Sequence, residues 1–300
     1  MKNFTHHSGS MENCFPYRLV ELPWIAHRSY LEQQEDSTLG VEVSFHCLEL
    51  LQHIAQVLSN MFGRNPVWRA DVSINDASQA RVLEVNFCEA GGGYCYDLLE
   101  KQYQAHYRFQ WPHVMDLALE DLNLALVTDF YTMHRAYIEH QYLQAMYPAF
   151  DFRDPKAHTW PGRLFCMYES PDFEPFDYKL IWPVKKMMEL ESKTNLLAWS
   201  RERPDIFVKT VLAKDVEERD GWVFKPAWDE EGNRVDLGNW RTLDERTDVA
   251  QECWMPYSAD GHRMIFGVFA NGGLWIRRVW NSWLIGSTAL WTPLVGSYRS

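Results

Sequence analysis

The stretch WRADVSINDASQARVLEVNF puts Asp71 in one strand-like run and Glu84 with Asn86 in the next. Residues two apart on a strand face one side, so Glu84 and Asn86 point together, and Asp71 can lie across from them if the strands pair. Two carboxylates and an amide oxygen on one face are a ligand set suited to Mg²⁺. An alternating strand with a solvated polar face gives the same pattern. A second stretch, GWVFKPAWDEEGNRV, ends an apolar strand in Lys225 and continues through Pro226 to a loop carrying Gly232 and Asn233. A lysine ammonium with loop amides around it is phosphate-binding chemistry. A strand-end lysine beside a turn is the plainer reading of the same residues.

These side chains need elements to hold them. Leu48, Leu51, Ile54, Leu58 and Met61 recur at helical spacing, which predicts a helix over Val43 to Phe62, closed by Gly63. Val67 to Ile74 and Arg81 to Phe87 read as adjacent strands around the polar turn at 75–78. Gly91-Gly92-Gly93 leads into an expected helix from Tyr96 to Tyr107, followed by a helical middle at 113–147 and an irregular segment at 151–175. Tyr178 to Trp182 reads as a strand and Val184 to Leu197 as a helix. Strands are expected at Ile206 to Leu212, Gly221 to Pro226, Arg263 to Ala270 and Leu274 to Trp280, with Asn271-Gly272 as a hairpin turn. The pattern is α+β. It divides into 1–110 with the strands that carry Asp71, Glu84 and Asn86, a mostly helical 111–200, and 201–300 with the Lys225 strand and the closing strands, read as one unit.

Composition narrows the function. Lys and Arg number 29 against 41 Asp and Glu, a net charge of −12, and no basic cluster marks a nucleic-acid surface. Aromatic residues make up 15% of the chain, which favours large cores or clefts over disorder. No stretch reaches the roughly 18 apolar residues a membrane helix requires, and the first residues carry no secretory pattern. The six cysteines are scattered without paired CxxC spacing, as expected of reduced thiols. The expectation is a soluble cytoplasmic protein that binds neither nucleic acid nor membrane.

The order of these stretches resembles the synthetase domain of glutathionylspermidine synthases, related to eukaryotic-type glutathione synthetase. That family has an Arg-x-Asp strand and then Glu-x-Asn, matched here by Arg69-Ala-Asp71 and Glu84-Val-Asn86. Lys225-Pro226 with Gly232-Asn233 is similar to its Lys-Pro strand and phosphate loop, and PFDYKLIWPVKKM to its Lys-Leu-x-Pro segment. Gln251-Glu252-Cys253-Trp254 is similar to its nucleotide hinge, and FGVFANGGLWIRR with WTPLV to its closing hairpin. The likeness covers about residues 64–104 and 176–296. It implies an ATP-grasp fold in the rearranged order of that group, and an ATP-dependent carboxylate–amine ligase working through an acyl phosphate. Asp71, Glu84 and Asn86 would then hold Mg²⁺, while Lys225, Gly232 and Asn233 would contact ATP phosphates; Lys209 is a second nucleotide-contacting lysine or a solvated charge. Gln251, Glu252 and Trp254 would line the adenine, and Arg69 with Arg277 or Arg278 would stabilise the reacting groups. Substrates would be a small carboxylate and an amine, with a peptide or polyamine as candidates, and the resemblance hints at a homodimer.

The chain departs from the pattern in two places. Asp229-Glu230-Glu231 stands where the family's loop is basic, and Phe87 to Gly93 replaces a run that helps hold glutathione. A nucleotide- or partner-binding domain without turnover, and an ATP-grasp kinase, therefore stand as alternatives to the ligase, with an unrelated Trp-rich binding protein as a third. Other candidates are weaker. His134 and His140 fall about 240° apart round a helix; Cys88 and Cys95 flank the glycines without a linked histidine. Lys214 is a solvated charge or a second nucleotide contact, and Trp275, Trp280, Trp283 and Trp291 are core or cleft walls.

Overall fold

The structure is a computed structural model that describes residues 15–21, 39–63, 68–87, 189–227, 248–269, 273–282, 289–292 and 294–299, together with the backbone of 124–127, 151–153 and 163–166. In chain order the elements are β1 (Tyr17–Glu21), β2 (Leu39–Ser44), α1 (Phe45–Phe62), β3 (Arg69–Ile74), β4 (Ala80–Asn86), β5 (Leu124–Val127), β6 (Asp151–Arg153) and β7 (Arg163–Cys166). There follow α2 (Asn195–Glu202), β8 (Thr210–Leu212), β9 (Trp222–Lys225), β10 (Val249–Glu252), β11 (Ser258–Ala259), β12 (His262–Phe269), β13 (Leu274–Trp280), β14 (Leu290–Trp291) and β15 (Leu294–Tyr298).

The central sheet runs β14-β13-β12-β3-β4, with β11 hairpinned onto β12. Every pairing in it is antiparallel, and β3 from the first third of the chain lies directly beside β12 from the last. One face is apolar, carrying Ala70, Val72, Val82, Val85, Phe266 and Val268, all buried. Against it packs α1 through Leu51, Ile54 and Leu58. The helix begins at Phe45 and not at Val43 because the Ser44 hydroxyl accepts from the Cys47 amide at 3.3 Å, a cap that hands the preceding residues to β2. It ends as expected at Gly63, whose φ of 77° suits a residue without a side chain.

A second sheet, β8-β10-β9, meets the central one along β4. The link is residues 206–208: the Val82 amide donates to Ile206 O at 2.8 Å and the Val208 amide to Val82 O at 3.2 Å, after which the chain enters β8. A third sheet pairs β1 with β2 and, in parallel, β2 with β15.

Three expectations change. Residues 124–127 form a strand inside the expected helical middle, and β6 and β7 pair with it in parallel within the segment expected to be irregular. A four-residue apolar run such as Leu-Ala-Leu-Val fits either conformation, and pairing decides. The helix expected to reach Leu197 is interrupted at 192–194, where Ser192 and Thr194 hydroxyls bond each other at 2.8 Å, and α2 starts afresh at Asn195. The strand expected from Ile206 is regular only from Thr210, since 206–208 bridges to β4. The expected elements at 96–107 and 178–182 and the turn at 271–272 lie outside the described residues. No helix among the described residues is long and apolar enough to cross a membrane.

Candidate functional site

The polar face of the central sheet is set by register. Asp71 pairs with Glu84, and Arg69 with Asn86, so the four side chains emerge together. Asp71 also pairs with Gly267 on β12, and Gly267 with Trp275 on β13. A methyl group at Gly267 would sit 2.3 Å from the Trp275 ring, so the glycine lets the indole lie flat across the sheet toward Arg69. The Arg69 guanidinium stacks 5.0 Å from that ring and donates to Asp71 at 2.8 and 3.3 Å. An aromatic face and a carboxylate together fix where the guanidinium points.

A register shift between Asp71 and Val72 leaves Leu83 as an unpaired extra residue on β4. Without it, strict alternation would put Val82 and Glu84 on one face. With it, Val82 turns to the core and Glu84 to the polar side. The Leu83 carbonyl accepts from Lys225 Nζ at 3.3 Å and Gln251 Nε2 at 3.0 Å. Lys225 Nζ also donates to Gln251 Oε1 at 2.8 Å. Lys225 and Gln251 come from neighbouring strands of the second sheet and share its face toward β4.

Charge is dense here and largely shielded from water. Asp71 and Glu84 lie within hydrogen-bonding reach of each other. Burial raises the Asp71 carboxyl above its ordinary range, against the pull of Arg69. Burial opposes the Glu84 carboxylate too, but Lys193, Lys225 and Arg69 outweigh it and hold the group at about 2. Burial also lowers Lys225, opposed by Glu84. Asn86 Nδ2 donates to Asp71 Oδ2 at 3.5 Å. Two adjacent carboxyl groups with an amide side chain beside them are a donor set that a hard divalent cation fits. Among the described residues no group of three or more His, Cys, Asp or Glu side chains is placed to hold a metal ion.

Other expected site residues fall elsewhere. Arg277 lies two residues from Trp275 on the polar face and donates to Ala289 O at 3.1 Å. Arg278 alternates to the opposite face, buried, with Nη1 3.3 Å from His262 Nδ1, so it cannot join Asp71 and Glu84. Lys209 stacks over Trp222 at 5.3 Å, on the face of the second sheet away from Lys225, and the two lysines do not converge. The hinge differs in detail from expectation. Glu252 is exposed and its amide donates to Lys209 O, while the Cys253 amide donates to Gly221 O. Those donors are engaged within the protein, and the Gln251 side chain is turned inward to Lys225. Trp254 lies against Arg81, 5.1 Å from guanidinium to ring. Gly232, Asn233, the acidic 229–231 run, Gly91 to Gly93, Cys88, Cys95, His134 and His140 lie outside the described residues.

Two charged residues of this region carry no sequence signal. Glu191 accepts from the Phe87 amide at the end of β4, and Lys193 acts on Glu84. Only the polar run Glu-Ser-Lys-Thr inside an otherwise helical pattern marks the place. No family model matches the sequence, and no curated protein matches it.

Proposed function

We propose that the protein is an ATP-dependent carboxylate–amine ligase of ATP-grasp type. The observation that carries this reading is the meeting, across two sheets, of Arg69, Asp71, Glu84 and Asn86 with Lys225. Asp71, Glu84 and Asn86 would hold Mg²⁺, whose charge would neutralise that of the phosphates. Lys225 would contact the same phosphates as a point charge. The carboxylate substrate attacks the terminal phosphorus and ADP leaves; the amine then attacks the acyl carbonyl and phosphate leaves. Arg69, held by Trp275 and Asp71, and Arg277 face the group on which negative charge collects. The protein supplies position and charge, with no covalent chemistry of its own. Trp254 remains the aromatic wall for the adenine.

Thermal unfolding with ATP, with and without Mg²⁺, tests the site. Ligand at a hundred times its Kd stabilises by about 2.7 kcal/mol, so the wild type melts higher with Mg–ATP. Glu84→Gln should lose that shift, since an amide is a poorer cation ligand. A wild type unmoved by millimolar Mg–ATP sinks the reading. Binding without ADP release on any acid–amine pair favours the non-catalytic alternative, which the acidic 229–231 run also favours.

A further inference from the structure

We propose that Gln251 is a positioning residue for Lys225, holding its ammonium against the β4 bulge beside Glu84. The sequence pattern puts Gln251 in the nucleotide hinge, but its side chain is 2% exposed and faces the protein. It makes contacts at both ends of its amide. Oε1 accepts from Lys225 Nζ at 2.8 Å, and Nε2 donates to Leu83 O at 3.0 Å and to Thr210 Oγ1 at 3.4 Å. Thr210 Oγ1 in turn donates to Val208 O at 2.9 Å, so its lone pair faces the glutamine. The Leu83 carbonyl receives both the lysine and the glutamine, closing a ring of hydrogen bonds between two sheets.

An ammonium has three protons on a flexible stem and no preferred direction of its own. Here two of them are fixed, by one neutral acceptor on the second sheet and one on the central sheet. A neutral amide is well matched to this position, because it directs the lysine without cancelling the charge that phosphates would meet. A carboxylate at 251 would hold Lys225 as firmly and neutralise it. The catalytic consequence rests on the ligase reading; the positioning itself stands on the contacts.

The test is acetylation of the full chain with a small amine-reactive ester, following Lys225 by peptide mass spectrometry against exposed Lys209 and Lys214. Wild-type Lys225 should react about tenfold or more slowly than either, since reaction requires opening hydrogen bonds to a charged group. Gln251→Met, of similar length but without the acceptor, should raise the Lys225 rate about tenfold. Gln251→Glu should keep the protection and weaken Mg–ATP binding. A Lys225 rate unchanged in Gln251→Met overturns the proposal, as does a Gln251→Glu variant that labels as fast as the Met variant at a wild-type melting midpoint. If the Met variant fails to fold, Thr210→Val serves, with Lys225 labelling raised severalfold; an unchanged rate there also overturns it. A wild type that ignores Mg–ATP sinks the ligase reading and leaves the labelling result to decide this one.

Discussion

Arg277 and Arg278 are neighbours in sequence and opposites in the fold. Spacing alone leaves both eligible; the pairing of β13 with β12 assigns Arg277 to the face of Asp71 and Arg278 to the buried face with His262. Their truncation should therefore fail differently. Arg278→Ala removes a long side chain that is 1% exposed, leaving a cavity and unpaired polar neighbours, at a cost of about 2–5 kcal/mol. Arg277→Ala should change stability by under about 1 kcal/mol and lower ADP release about a hundredfold, as expected for loss of one charge-stabilising donor. Urea unfolding and a coupled ADP assay on both variants separate the two roles; equal loss of stability in both would contradict the facial assignment.

At the scale of elements, the strongly periodic segments are legible in the sequence. The apolar spacing of α1, the polar turn between β3 and β4, and the hairpin of β12 with β13 follow from local pattern. The convergence of Asp71 with Glu84 and Asn86 does not, because regular pairing from the turn would set Asp71 opposite Leu83 and turn Glu84 to the core face, and the bulge that prevents this has no local mark. Long-range pairings leave no local mark, neither β3 against β12 nor 206–208 against Val82, and the same holds for Glu191 at the Phe87 amide and for the Lys193 amide at Ala227 O. Asp260-Gly261 is different: φ values of 50° and 82° make the β11–β12 turn, and an Asp-Gly pair is a turn signal that local pattern does carry.

One such long-range contact has a pH signature. The Tyr17 hydroxyl on β1 donates to Tyr257 O and accepts from the Met264 amide at 3.3 Å, tying the third sheet to β12. Burial raises its pKa far above the ordinary value, with the Met264 contact working weakly the other way. In the unfolded chain this tyrosine ionises near pH 10, whereas folded it stays neutral. The folded state then binds more protons, so stability is complete below about pH 10 and falls as pH rises, by up to about 1.4 kcal/mol per unit. Tyr17→Phe should be about 1 kcal/mol less stable at pH 8 and flatter above pH 10, so that denaturant curves of the two proteins converge. Parallel pH dependence would mean that Tyr17 does not carry the effect.

The whole molecule is held by pairing between distant parts of the chain. β15 lies in parallel beside β2, burying Leu294 and Val295, and Tyr298 Oη donates to Phe15 O at 2.6 Å. Full burial of each aliphatic side chain is worth about 1.5–3 kcal/mol, a large share of a typical domain's net stability. Removal of residues 294–299 should abolish a sharp cooperative melt by circular dichroism. A sharp transition within a few degrees of the wild type would place the third sheet outside the cooperative unit. Pairings of this separation also make for slow folding, because the loops must close before the contacts form.

Leu83 is the one residue on β4 without a partner across the ladder. Its deletion would leave Glu84 opposite Asp71 and Val82 opposite Val72, with every side chain on its present face and the sheet more regular than before. What would vanish is the carbonyl that gathers Lys225 and Gln251. In evolutionary terms this part of the junction between the two sheets is a single codon, one that can be gained or lost without redesigning either sheet. A fold of this kind can acquire or shed the carbonyl that holds Lys225 by the smallest in-frame change a gene permits.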